Sequence, residues 1–440
     1  MNKSLFICIF NNRILNRLIF DQVRNHRCLL DDNNDEKRKV YKWSEVVTQP
    51  RVMAGNGYLE MLKVWFKKND INNITEFDFY RILGNAIKTS HPNSFEVVDS
   101  MAEKGRSSRQ ANSWDVFDFA ARVGRIDMIE WLAEHRPQDR EGNTMYYHAV
   151  FGNHIHVLEY LKKEKKDIIE KDNVKLINVA AERGNLTIIK WLHENKVGRA
   201  SHRAMDDACR KGYLNIVEYL HVNRTEGCSA IEAMEDASYN GHLEIVKWIH
   251  FNCSSEYVSY LVMDYAATKG HLLIVEWLHS VVNAICSGDA LDGAAGNGHL
   301  EVVKYLHFNI EDISCSHRAM DDAAKNGFLD IVKFLHENRT EGGTRKILNY
   351  AAANGHVETV EWLVRNRSER GSHFAFQDAV YKGHLDMVKW LYQNQSVWLN
   401  KNEHFDFSHY AIQAKEYGHK DIERYLLLQL PPPILAKIYS

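Results

Sequence analysis

Ala237-Ser238-Tyr239-Asn240-Gly241-His242-Leu243-Glu244-Ile245-Val246-Lys247-Trp248-Ile249-His250 returns in register as Ala266 to His279 and as Ala294 to His307. With the glycine before the histidine as position zero, further copies fall at Gly124, Gly184, Gly212, Gly241, Gly270, Gly298, Gly327, Gly355, Gly383 and Gly418. From Gly184 to Gly383 the spacings are 28 or 29 residues. Asn153 holds the place in one more copy, because Val157-Leu158-Glu159-Tyr160-Leu161 aligns with Ile216-Val217-Glu218-Tyr219-Leu220. A helix-ending position with left-handed backbone suits glycine and tolerates asparagine. Weaker copies at Gly57 and Asn93 bring the total to about thirteen, with irregular outer copies that read as caps. A repeat of this length means a solenoid in which each repeat contacts its neighbours. One duplication fits that rule: Ser201-His202-Arg203-Ala204-Met205-Asp206-Asp207-Ala208 recurs from Ser316 to Ala323, an offset of 115 residues or four repeats.

Each repeat reads as two helices. The first places an apolar residue at minus seven (Met205, Met234, Met263, Leu291, Met320, Leu348, Phe376) and alanine at minus four (Ala208, Ala237, Ala266, Ala294, Ala323, Ala351, Ala379). Three residues apart, they share one face, and the alanine admits a close neighbour. The second helix is apolar at plus two, four, five, seven and eight, a stripe wide enough to be covered on both sides. Plus seven is aromatic almost throughout, as in Trp131, Tyr160, Trp191, Trp248, Trp277 and Trp362. The expectation is a partly buried aromatic spine; a peptide-stacking groove is the alternative.

The segment Gly241 to His250, with Ala-x-x-Gly before it, resembles the second helix of an ankyrin repeat and the end of its first. The resemblance covers 114–428 well and 51–113 poorly. It implies a protein-binding solenoid whose minus-two and minus-one residues line a concave groove. This chain departs from the pattern. The opening Thr-Pro-Leu-His becomes Arg203-Ala204-Met205-Asp206 or Glu232-Ala233-Met234-Glu235, and the repeats are four or five residues shorter than the usual 33. The shortfall lies between repeats, so an all-α, ankyrin-like stack with short inter-repeat turns is expected in place of projecting hairpins. By the resemblance, the partner-binding face comprises Arg210, Lys211, Tyr239, Asn240, Thr268, Lys269, Asn297, Lys325, Asn326, Asn354, Tyr381 and Lys382. Core packing does not dictate these residue types, and solvated helix ends are the plain alternative.

The chain of 440 residues carries a net charge of −3, so no global field favours nucleic acid or a membrane surface. Seven cysteines, odd in number and without a Cys-x-x-Cys pair, point to a reduced compartment. The apolar run Leu5-Phe6-Ile7-Cys8-Ile9-Phe10 is too short for a signal peptide or a membrane span. The cytoplasm is the expected location, with the nucleus open. Residues 1–50 lie outside the repeat and read as a helical cap or a docking segment; 51–113 are irregular first repeats, 114–428 the array, and 429–440 a short tail opened by prolines. Leu15 to Val23 loosely resembles part of an F-box, the alternative being an adaptor that recruits machinery while the repeats select the client.

Histidine forms two ladders. One is at plus one (His154, His242, His271, His299, His356, His384, His419). The other is at plus nine (His193, His221, His250, His279, His307, His336), where the ring is expected to bond free carbonyls at the helix end. Ladder members are a layer apart and cannot converge on zinc, so no metal site is assigned. Acidic residues stand at minus six (Asp118, Asp206, Glu235, Asp264, Asp292, Asp321), read as caps of their own first helix, or alternatively as a stripe steering a basic partner. There is no phosphate loop, nucleophile elbow or His-Glu-x-x-His. The expectation is a non-catalytic, monomeric scaffold for unidentified protein partners, without cofactor, metal, nucleic acid or membrane.

Overall fold

The structure is a computed structural model that describes residues 49–69, 76–89, 93–107, 116–137, 144–164, 175–253, 258–399 and 407–431. The N-terminal segment read as a cap or F-box-like module and the final proline-led tail lie outside the described residues, apart from their few innermost positions. The chain is a helical-repeat solenoid. Among the described residues there is no strand, only an isolated bridge between Gly371 and Leu399.

Two compact parts divide the chain, Met1–Ala204 and Met205–Ser440. In the first, helix pairs run from Pro50–Gly55 with Leu59–Lys68 to Leu176–Glu182 with Leu186–Glu194. In the second, they include Ala230–Tyr239 with Leu243–Asn252, Gly288–Gly296 with Leu300–Asn309, and Phe407–Glu416 with Lys420–Gln429. Within each part the main helix contacts join helices of one repeat or of adjacent repeats, as a solenoid requires.

The core follows from the periodicity. In the second part all seven minus-seven residues, Met205 to Phe376, and all seven minus-four alanines are buried. On the second helices, plus four, five and eight are buried, as in Ile245, Val246 and Ile249, whereas Leu243 and Trp248 at plus two and seven are half-buried. The stripe is thus narrower than the sequence pattern suggests. A short extra helix, Gln395–Trp398, fills the long gap before Gly418; Trp398 is fully buried and its Nε1 donates to Leu391 O at 2.7 Å.

Every position-zero glycine has positive φ, for example +84° at Gly241 and +87° at Gly298, and Asn153 stands at +64°. The turn closes each first helix: His242 N donates to Ala237 O at 2.9 Å, and His299 N to Ala294 O at 2.9 Å. Asn93 stands just before the second helix of its copy, Ser94–Ser107, where the buried Val97 and Val98 fall at plus four and five as the assigned register requires, and its Nδ2 donates to Gly57 O at 3.2 Å.

Candidate functional site

The plus-one histidines are inter-repeat fasteners. His242 Nε2 lies 3.2 Å from Arg210 O, His271 Nε2 3.1 Å from Tyr239 O, and His419 Nε2 2.9 Å from Tyr381 O, each carbonyl being the minus-two group of the preceding repeat. The ring rests on the preceding glycine. A Cβ on Gly241 would come within 2.6 Å of His271 Cε1, and one on Gly327 within 2.4 Å of His356 Nδ1. At Gly241 and Gly327 a side chain is therefore excluded twice, by backbone conformation and by the histidine above. Where the chain has Asn153, the next repeat carries Asn185 in place of histidine, and the two amides bond to each other. Burial lowers the pKa of His154, His299 and His384.

The five minus-six aspartates reach the next repeat in place of capping their own helices. Asp264 Oδ1 and Oδ2 accept from Ser287 N (2.9 Å) and Oγ (2.5 Å), Asp292 takes the same pair from Ser316, and Asp321 from Thr344. Asp206 accepts from Ser229 N, and Asp118 from Thr144 Oγ1. Each partner opens the first helix of the next repeat, and Ser287 Oγ and Ser316 Oγ also accept from backbone N–H groups of their own helices. Asp118, Asp264, Asp292 and Asp321 are buried, so they offer no stripe to a basic partner. Asn178 and Asn349 hold the place by accepting from the N–H of Ser201 and Ser372, and their Nδ2 groups donate to the serine hydroxyls, the reverse of the aspartate bond. Burial raises the pKa of Asp264 against the Ser287 hydrogen bonds.

The plus-nine histidines also reach forward. His221 meets Trp248, His250 meets Trp277, His307 meets Phe334 and His336 meets Trp362, all edge to face with ring centroids 5.0 to 5.5 Å apart. His279 Nδ1 lies 3.0 Å from Tyr305 Oη. For these five, aromatic neighbours along the stack replace the expected carbonyl bonds. The expected geometry is found instead at plus eleven of the Gly124 repeat, where His135 Nδ1 lies 3.0 Å from Trp131 O. The plus-seven rings are half-buried, which matches the spine reading.

A further ladder lies at plus eleven. Asparagine at plus eleven ends the second helices, its Nδ2 donating four residues back: Asn223 to Tyr219 O, Asn252 to Trp248 O, Asn309 to Tyr305 O and Asn338 to Phe334 O. The Gly270 repeat has Val281 there, and its helix runs into a π-turn over Leu278–Val282 that ends at Asn283 in left-handed backbone. The same helix exposes Leu273 where other repeats carry Glu244, Glu301 or Asp330. Beyond this ladder, Arg-x-Glu clamps close several turns: Arg224–Glu226, Arg339–Glu341 and Arg367–Glu369. Despite burial, the Arg339 guanidinium holds Glu341 at about 2. A cleft of about 660 Å³ opens beside that clamp, lined by His307, Phe308, Ile313 and Arg339 among others. Among the described residues no group of three His, Cys, Asp or Glu is arranged to hold a metal ion.

The residues assigned to a partner face line the ends of successive first helices. Lys211, Tyr239, Asn240, Lys269, Asn297, Lys325, Asn326, Tyr381 and Lys382 are exposed, and Arg210, Thr268 and Asn354 half-buried. Some have internal work. Asn240, Asn297 and Asn354 donate to carbonyls of their own helices, and Asn326 to Gly296 O. Arg210 pairs with Asp207, and Thr268 packs where a Cβ on Gly293 would sit. The lysines and tyrosines remain the outward chemistry: Lys269 Nζ sits 4.4 Å over the Tyr239 ring, Lys382 Nζ donates to Asn354 Oδ1 at 3.0 Å along the surface, Tyr239 meets Tyr265 edge to face, and Tyr381 meets Tyr417 likewise.

No helix among the described residues is long and apolar enough to cross a membrane. No curated protein matches the chain. Among solved structures, the pentatricopeptide repeat protein PPR10 from maize aligns over 100% of this chain and 70% of its own at 9% identity and a TM-score of 0.33, a likeness too slight to carry an argument. Family models described as ankyrin repeats match residues 117–161, 320–403 and 348–431. Over these residues the chain carries ankyrin repeats.

Proposed function

We propose that the chain is a non-catalytic scaffold that binds protein partners along the exposed ends of its first helices. Ankyrin repeats generally mediate protein–protein interaction, which supports the class of function. The observation that carries the location is a division of labour. Carboxylates and histidines at the other ladder positions are consumed in fastening repeats and the plus-eleven asparagines in ending their own helices, while Lys211, Lys269, Lys325 and Lys382, with Tyr239 and Tyr381, are exposed. Tyrosine supplies contact area at small entropic cost, and a lysine row attracts acidic surfaces. The adaptor reading, with residues 1–50 recruiting machinery, rests on sequence alone.

A photo-crosslinking amino acid at 239 or 381 in the full chain, expressed in its native cell, tests the location. Protein adducts from these positions, lost on reversing the four lysine charges, are expected. Adducts arising equally from a probe at Phe251 or Phe308, on the second helices, and unaffected by the charge reversal would refute it.

A further inference from the structure

Cys228 and Cys253 come together from the two ends of one repeat. Cys228 stands directly before Ser229, which precedes helix Ala230–Tyr239, and Cys253 directly follows helix Leu243–Asn252. Their sulfurs are 3.7 Å apart and both residues are half-buried, within reach of small molecules. The pairing is specific to this repeat. Cys286 and Cys315 occupy the same place as Cys228, before Ser287 and Ser316, but the plus-twelve residue facing Cys315 is Arg339, which bonds it together with Glu341. Plus twelve is arginine in four repeats (Arg136, Arg224, Arg339, Arg367) and cysteine in this one. A substituted clamp position thus meets a turn thiol.

We propose that Cys228 and Cys253 are a redox modification site, a dithiol that a low-molecular-weight disulfide of the glutathione class closes into a reversible intrachain disulfide. The sulfurs must approach by about 1.7 Å to reach bonding distance, a shift within the reach of side-chain rotation. The two thiols are hydrogen-bonded, and with Cys228, the more enclosed, as donor the bond lowers the Cys253 pKa, while that bond and burial raise that of Cys228. Cys253 is therefore the attacking thiolate. It displaces one glutathione thiolate from glutathione disulfide and forms a mixed disulfide. Cys228 then gives its proton to solvent and attacks the Cys253 sulfur, releasing the second glutathione. The protein dithiol loses two electrons and two protons, and one glutathione disulfide becomes two glutathione thiols. The closed bond ties the start of the first helix to the end of the second, so this repeat can no longer open independently of its own ends.

The test is to equilibrate the folded full chain with graded ratios of glutathione and glutathione disulfide, quench with acid, alkylate and map the peptides. A Cys228–Cys253 linked peptide should dominate, reverse with excess glutathione, and form while Cys286 and Cys315 remain alkylatable. Cys228→Ser should trap glutathione on Cys253. Cys253→Arg, which restores the residue of neighbouring repeats, should fold and form no link. Separate glutathionylation of both cysteines without a link, linkage of either to buried Cys209, or equal reactivity of all the half-buried thiols would overturn the assignment.

Discussion

Gly241→Asn measures how much of the repeat's stability depends on the glycine–histidine contact. Asparagine at φ +84° carries a left-handed strain of about 1 kcal/mol, less than most residues would. Its Cβ would also stand 2.6 Å from His271 Cε1, so the ring must leave, and with it the bond to Tyr239 O. Losing that bond and its packing adds about 1–2 kcal/mol, for a total of about 2–3. Gly418→Asn is the control: φ is +80°, but nothing lies within 4 Å of the added Cβ, so only about 1 kcal/mol is expected. His271→Asn alone should cost about 1–2 kcal/mol. The double variant reproduces the Asn153–Asn185 pair that the chain already contains and should cost about 2 kcal/mol, giving a favourable coupling of at least about 1. Urea unfolding followed by circular dichroism gives the energies, and amide hydrogen exchange over 230–252 localises them. Equal costs at 241 and 418, or additivity within about 0.5 kcal/mol, would refute the reasoning.

Asp264→Asn should be nearly neutral at pH 7, since burial already disfavours the charge and Asn178 and Asn349 bridge the same two serine groups with the hydroxyl bond reversed; Asp264→Ala should cost about 2 kcal/mol by stranding Ser287 N and Oγ, as read by the urea midpoint. Trp277→Ala should fall below the roughly 3–5 kcal/mol typical of a buried aromatic, because the ring is half-buried, whereas Leu278→Ala beside it should cost about 3; reversed ranking in thermal unfolding would contradict the spine geometry. Burial and the Arg122 guanidinium push His148 down to about 4, and burial also lowers His154, His299 and His384. These rings stay neutral in the fold while the unfolded chain takes up protons, so stability is full above about pH 6.5 and declines as pH falls toward 4; His148 contributes at most about 3 kcal/mol of that loss. Urea midpoints at pH 7.5 and 5.0 check the sign, and a higher midpoint at pH 5.0 would contradict it.

The repeat and its core were legible because burial repeats with the sequence: Ala237, Ala266 and Ala294 must be small, and Gly241 and Gly270 must turn. What lay between repeats was harder to read. The span from Asp292 to Ser316 is 24 residues, and helical periodicity says nothing about partners that far apart. An acidic residue in a first turn also has a local explanation that is sufficient in most helices, and here the distant one holds. The plus-nine histidines failed for the same reason, since Trp277 lies a whole repeat beyond His250. The partner face was legible only as exposure. Asn240 and Asn297 look like groove residues in the sequence, and their amides turn out to be occupied by their own helix ends.

The buried carboxylate of one repeat and the hydroxyl that opens the next make every such boundary a two-part joint, with one half contributed from each side. A block excised and reinserted at equivalent places keeps complementary halves at both seams, which is how a stretch such as 201–208 can reappear at 316–323 without a misfit. Asn153 and Asn185 are the exception: a cut between them would set a histidine against a side chain or leave an amide facing bare glycine. Such an array can lengthen or shorten by whole blocks almost anywhere along its length, with that one junction inherited intact.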